Sequence, residues 1–165
     1  MADSGQRAIV ESAVAALLTV PGMESAKIVP LTRAFEFRER DDGSFVLDHH
    51  EMPDRLPGAV VAINEGGIER HTLNQSTDLQ ISYRVPLVIA IYASSDGNTL
   101  MSAHHIAWRL TEQSILVLGK TMPSGFPGGM QGMAHFEPGD FAPIEMDDTN
   151  HGMALHVFAV YAMRS

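Results

Sequence analysis

Hydrophobic positions along the chain fall into two helical stretches and several strand-like runs. Ile9, Ala13, Ala16 and Leu17 recur at i, i+4, i+7 and i+8, which predicts an amphipathic helix. Asp3 with Gln6 has the form of a capping box before it, and Pro21-Gly22 stops it. From Ala26 to Arg40, Ile28, Val29, Phe35 and Phe37 predict a half-exposed strand. Between Arg40 and Pro57 the chain is dense in charge and reads as a solvated excursion or the ends of a long hairpin. The continuous apolar run Gly58 to Asn64 (GAVVAIN) predicts a buried strand, followed by a polar link from Ile68 to Thr77.

The clearest strand runs from Asp78 to Ala93. Leu79, Ile81, Tyr83, Val85, Leu87, Ile89 and Ile91 alternate in strict period two, while Gln80, Ser82 and Arg84 begin the other face. Pro86 cannot donate to a ladder, so the strand must be bulged or lie on an edge there. Beyond it Val88, Ala90 and Tyr92 make the second face apolar too, which calls for cover on both sides. A second helix is predicted from Leu100 to Gly119 on the spacing of Leu100, Ala103, Ala107, Leu110 and Val117, and it carries Trp108.

From Gly119 to Pro143 there are six Gly, four Pro and three Met, which predicts a long irregular loop. Phe141 to Met146 then reads as a short strand, Asp147 to Gly152 as a turn, and Met153 to Met163 as a closing strand apolar on both faces except at His156. A strand of that kind belongs in the middle of a sheet or under a neighbouring subunit. This order predicts a single α+β domain over residues 1–165: a mostly antiparallel β-sheet with two α-helices packed on one face.

Composition narrows the chemistry. The 165 residues suffice for one substantial core. Twenty acids against eleven bases give a formal charge of -9, which disfavours a protein whose main task is to grip nucleic-acid phosphates. With no Cys there is neither a disulfide nor a thiolate nucleophile. No apolar run is long enough for a membrane span, and the N-terminal stretch, interrupted by Glu11 and Ser12 and without a basic leader, is not a signal peptide.

Candidate chemistry is sparse. The doublets His49-His50, followed by Glu51, and His104-His105 suggest metal ligands. However, adjacent helical residues point about 100° apart, so His104 and His105 do not readily share one ion. Exposed or interfacial histidines are the favoured reading, and His156 fits a hydrogen-bonded core or interface position. Pro123-Ser124-Gly125 lacks the pattern of a nucleophile elbow, and Gly125 to Gly132 lacks the Lys-Ser/Thr of a phosphate loop. No catalytic, cofactor or metal residues are assigned. The composition better fits an arm that lays Met122, Phe126, Met130, Met133 and Phe136 onto a partner, because Met and aromatic side chains adapt to apolar surfaces. Glu137, Asp140, Glu145, Asp147 and Asp148, against the single base Arg164 after Lys120, predict an acidic channel lining or rim.

Taken together, the alanine- and leucine-bearing first helix, the GAVVAINEG strand, the long LQISYRVPLVIAIYA strand, the Trp-bearing helix, the Gly/Pro loop and the closing GMALHVFAVYAMR strand resemble the tail terminator (tail completion, minor tail) proteins of long-tailed bacteriophages. The resemblance spans Asp3 to Met163 and lies in element order and strand texture. It implies a structural virion protein without enzymatic activity or cofactor, assembled in the host cytoplasm. Such a subunit forms a homo-oligomeric, hexameric ring on the tail tube protein, terminates tail polymerisation and offers the head connector a docking surface in the neck region. DNA would be only passing cargo in the lumen, and no membrane would be involved. Other neck or adaptor proteins share this texture, and a small metal-dependent hydrolase built on the His doublets is the rival from a different class. The charged Arg40 to Pro57 excursion exceeds what a minimal terminator needs.

Overall fold

The computed structural model describes residues 4–24, 26–31, 36–39, 41, 45–48, 56–64, 67–75, 78–94, 100–126, 134–144 and 150–164. In chain order the elements are α1 (Gly5–Leu17), β1 (Lys27–Leu31), β2 (Glu36–Glu39), β3 (Phe45–Asp48), β4 (Gly58–Ile63), β5 (Glu69–Gln75), β6 (Asp78–Ser94), α2 (Leu100–Lys120), β7 (His135–Ile144) and β8 (Asn150–Arg164). The strands join one sheet in the order β1-β4-β6-β8-β7-β3-β2, and β5 pairs with the first half of β6. All pairings among these strands are antiparallel except β1 with β4 and β3 with β7. The expected single α+β domain is the fold observed.

Two long strands, β6 and β8, run antiparallel through the centre, paired from Gln80 with Arg164 to Ser94 with Asn150. Their odd-numbered residues face the helices. Val85, Leu87, Ile89 and Ile91 of β6 and Leu155, Val157, Ala159 and Tyr161 of β8 form the main core with Ile9, Ala13 and Leu17 of α1 and Leu110 and Leu118 of α2. Both helices therefore cover the same face. They run antiparallel, since Ser12 in the middle of α1 bonds Ser124 just past α2, while Gly22 beyond α1 lies against Arg109 and Leu110. Even-numbered positions form a second buried cluster on the opposite face, made of Val60, Val88, Ala90, Tyr92, Ile144 and Ala154. Fully burying one such aliphatic side chain is worth about 1.5–3 kcal/mol, so these two clusters supply most of the driving force.

Local details differ from the sequence reading for identifiable reasons. The helix cap is Ser4, one residue after the Asp3 expected, and its side chain accepts a hydrogen bond from the Arg7 amide; with Arg7 three residues on, it is a single cap and not a capping box. The single strand expected from Ala26 to Arg40 is two strands at opposite ends of the sheet order, β1 and β2. Pro30 fits β1 because, among the described strands, β1 is an edge strand that pairs with β4 only. Within the charged excursion from Arg40 to Pro57 the structure places β3, which pairs antiparallel with β2 just before it; most of the remaining excursion lies outside the described residues. The polar link is strand β5; Glu69, Arg70, His71 and Thr72 are exposed, so no apolar alternation announces it.

Pro86 lies at an edge in a specific sense. On one side of β6, β4 ends opposite Leu87 and β5 begins opposite Arg84, so position 86 falls in the gap between them. The Asn64 amide donates to the Pro86 carbonyl there, and the missing proline N–H points into the same gap. On the β8 side the register continues through Pro86 and Phe158 without a bulge.

The second half of the expected loop is regular. β7 begins at His135 rather than Phe141, and the strand after it begins at Asn150, inside the expected turn. Between Pro138 and Phe141 the register with β8 shifts, with one extra β7 residue placed opposite His156. Gly139 makes this bulge fit, since a Cβ there would sit 3.2 Å from the His156 carbonyl oxygen. The extra residue keeps both Phe136 and Phe141 on the helix side although they are five positions apart.

Candidate functional site

The helix-covered face of the sheet is consumed by the core, and three places among the described residues bring accessible groups together: the outward side of α2 with the segment that follows it, the outer face around β8, and the end of the sheet where α2 and β8 begin.

On α2, Ala103, Ala107, Leu110, Thr111, Ser114 and Leu118 face inward and are buried. Thr111 and Ser114 tolerate this because their hydroxyls donate to the carbonyls of Ala107 (2.8 Å) and Leu110 (2.6 Å) one turn back. The opposite side carries His105, Trp108, Arg109, Glu112 and Leu116, all exposed. Trp108 is 42 % and Leu116 56 % exposed, and Met122, two residues beyond the helix, is 70 % exposed.

The segment after α2 is held to the subunit. The Ser12 hydroxyl donates to the Ser124 carbonyl and accepts from the Ser124 amide, at 3.1 and 3.0 Å. Phe126 stacks on Tyr161 at 5.2 Å, and Tyr161 stacks on Tyr83 at 5.0 Å, which makes a three-ring ladder beneath the start of α1. Burial, with Tyr83 adding to it, pushes the Tyr161 hydroxyl up to about 12.

Of the five residues expected on a partner-facing arm, Met122 is open to solvent, whereas Phe126 is half-buried in the ladder. Phe136 is corrected outright: at 4 % exposure it belongs to the subunit's own core, because β7 replaces the loop there. Met130 and Met133 lie outside the described residues, as do Glu145, Asp147 and Asp148 of the expected acidic rim. Glu137 and Asp140 are exposed on β7.

Glu137 is not a bare acid. His135 lies 3.0 Å from it and Arg84 3.6 Å, and the hydrogen bond from His135 is the main reason its carboxyl stays below the usual range, with Arg84 adding to the effect. Arg84 also approaches Glu69 at 3.9 Å, and its guanidinium carbon sits over Phe158 at 3.6 Å from the ring centre. Beside it, Pro86, Phe158, Val160 and Ala162 are half-buried, forming a small apolar strip with a charged border.

At the other end of the sheet the His104-His105 doublet divides, as the helical geometry requires. His105 is exposed, while the Nδ1 of His104 lies 3.1 Å from the Nε2 of His151 on β8. Trp108 lies 5.7 Å from His104 and meets Phe141 edge-on at 5.0 Å. Burial, and then the neighbouring His104, lower the proton affinity of His151. Nothing in the sequence spacing of 47 residues signals this pair; the β8 register creates it. Among the described residues no three His, Asp or Glu side chains converge, and His49, His50 and Glu51 fall outside them. No helix among these residues is long and apolar enough to cross a membrane.

No protein-family model matches the chain, and no curated protein matches it either.

Proposed function

We propose that the chain is a structural subunit of a long-tailed phage virion, a tail terminator that assembles as a hexameric ring on the tail tube and carries the head-connector docking surface. The observation that carries this reading is the outward side of α2. Trp108 and Leu116 stand exposed on a helix whose other side is locked into the core, and Met122 follows on a segment pinned by Ser12. Large apolar side chains held on a rigid frame suit a fixed protein–protein contact, in which they lose their exposure on assembly. The resemblance in element order supplies the ring and the tube as partners.

The test pairs solution mass with electron microscopy of tail tubes grown with and without the protein. Tubes of defined length capped by a ring are expected. Leu116→Asp combined with Met122→Asp should leave the subunit folded and remove the ring, since each change buries an unpaired charge in the contact. Tubes that grow unchecked past the wild-type protein, with only monomer in solution, would sink the proposal. Rings found on the connector side alone would instead identify a neck adaptor.

A further inference from the structure

We propose that His104 and His151 form an acid-opened latch, in which one N–H···N hydrogen bond ties the beginning of α2 to the beginning of β8 and parts when both rings are protonated. The latch does not depend on the tail-terminator reading.

A neutral imidazole carries a proton on one nitrogen and a lone pair on the other, so one ring of a pair donates and its neighbour accepts. The Nδ1 of His104 and the Nε2 of His151 lie 3.1 Å apart, with the rings edge to face at 82°. A first added proton leaves the bond intact, because the protonated ring still donates and the neutral one still accepts. A second proton removes the remaining lone pair. Two N–H groups then face each other across 3.1 Å, each on a charged ring, and neither has an acceptor in the other. The contact therefore responds to the second proton that the pair takes up.

The surroundings keep that second proton out of the closed latch. Both rings are half-buried, and burial, then the neighbouring His104, lower the proton affinity of His151. Among the described residues, the elements packed against the pair bring no carboxylate to it. β6 sets Ala93 opposite His151 and Ser94 opposite Asn150, while its Tyr92 belongs to the cluster on the other face. β7 contributes Phe141, and its nearest acid, Asp140, lies at the bulge opposite His156, five positions along β8 and roughly 17 Å from His151. On α2 the neighbouring titratable group is His105, exposed, with its ring centre 5.9 Å from that of His104; Arg109 reaches toward Gly22 instead. Beside the pair, Ala93, Ala107 and Met153 form a small buried cluster with Ile106 and Phe141 against it. Opening the latch loosens the cover of that cluster and the seat of Trp108, whose ring lies 5.7 Å from that of His104.

Because folding lowers the proton affinity of His151, its contribution is present above the ordinary value of 6.5 and is lost as pH falls below 6.5 toward the lowered folded value. Within that window each pH unit favours the open form by up to about tenfold. The test is amide hydrogen exchange of the full-length protein between about pH 7.5 and about pH 5, corrected for the intrinsic pH dependence of exchange. Protection is expected to fall at the beginning of α2 and the beginning of β8, while Leu87 to Ile91 of β6 and Leu110 to Leu118 of α2 keep theirs. His151→Asn, which cannot take up a proton, should abolish the response in both segments, and His105→Asn should leave it as in the wild type. Nitrogen NMR of the histidine rings follows the same event in the wild-type protein, so a variant that fails to fold does not remove the test. There His151 should stay neutral below 6.5 and become protonated as protection falls. A change in protection of less than about twofold, a response that survives His151→Asn, an equal loss through the centre of β6, or a His151 ring protonated at 6.5 or above would overturn the proposal.

Discussion

Two leucines six residues apart on α2 provide a sharp test of which side of that helix is structural. Leu110 is 1 % exposed, and Leu116 is 56 % exposed. Leu110 is part of the cluster shared with α1, β6 and β8, and its methyl group would lie 3.3 Å from a Cβ placed on Gly22. Leu→Ala changes helix propensity little, so the comparison isolates packing. At Leu110 the lost transfer energy and the residual cavity should cost about 2–5 kcal/mol. Leu116→Ala should stay within about 0.5 kcal/mol, as surface substitutions do. For a chain of this size roughly 3 kcal/mol corresponds to a fall in Tm of about 6–12 °C. The assay is urea unfolding followed by far-ultraviolet circular dichroism, at several protein concentrations, because self-association would make apparent stability rise with concentration. Equal costs at both positions, or a larger cost at Leu116 in the dilute monomer, would refute the assignment of the α2 faces. A Leu116 effect that emerges only at high concentration would instead report its loss from a contact between subunits.

Gly5 and Tyr161 provide two further tests. A Cβ on Gly5 would lie 2.7 Å from the Tyr161 ring, which is held between Tyr83 and Phe126; Gly5→Ala should therefore destabilise by about 1–2 kcal/mol despite its gain in helix propensity, measured as a lower urea midpoint, and a stabilised variant would contradict the close packing. Tyr161 titrates at 10.0 when unfolded and is pushed up to about 12 when folded, so its contribution is complete below pH 10.0 and is lost as pH rises toward about 12. Spectrophotometric titration of tyrosinate should show delayed ionisation in the native protein, and Tyr161→Phe should flatten part of the alkaline decline in stability; native Tyr161 ionising at the ordinary value would rule this out.

How legible each element was in the sequence depended on whether one face of it was apolar. β6 and α2 announce themselves because their buried residues keep a constant period, and β4 because all six of its residues are buried. Among the described strands β5 pairs with β6 only, and it displays Glu69, Arg70, His71 and Thr72 to solvent, so it carries no alternation to find. β7 was hidden differently. Its inward residues Phe136 and Phe141 are separated by an odd interval that only the bulge at Gly139 reconciles, and its Pro and Gly content looks like a loop. The sequence reading assigned Phe136 to a partner for that reason. The pairing of His104 with His151 was out of reach altogether, because it follows from the register of β8 against β6 and from where α2 starts, not from any local spacing.

The bulge also determines which surfaces remain for function. Without the extra residue opposite His156, the side chains of β7 beyond Pro138 would exchange faces, with Phe141 turned outward and Ile144 inward. Phe141 would then lose Trp108, and the second cluster would lose Ile144 beside Tyr92 and Ala154. Keeping both in place commits the helix side entirely to the core and leaves Glu137 on the outer face, where it meets Arg84 above Phe158. That charged-bordered strip and the outward side of α2 both carry accessible apolar side chains, and the two differ in kind. The strip already satisfies its charges internally through Arg84, Glu69, Glu137 and His135. The outward side of α2 exposes Trp108 and Leu116, whose apolar surface gains most when water is removed, which is why the proposed assembly contact is placed there.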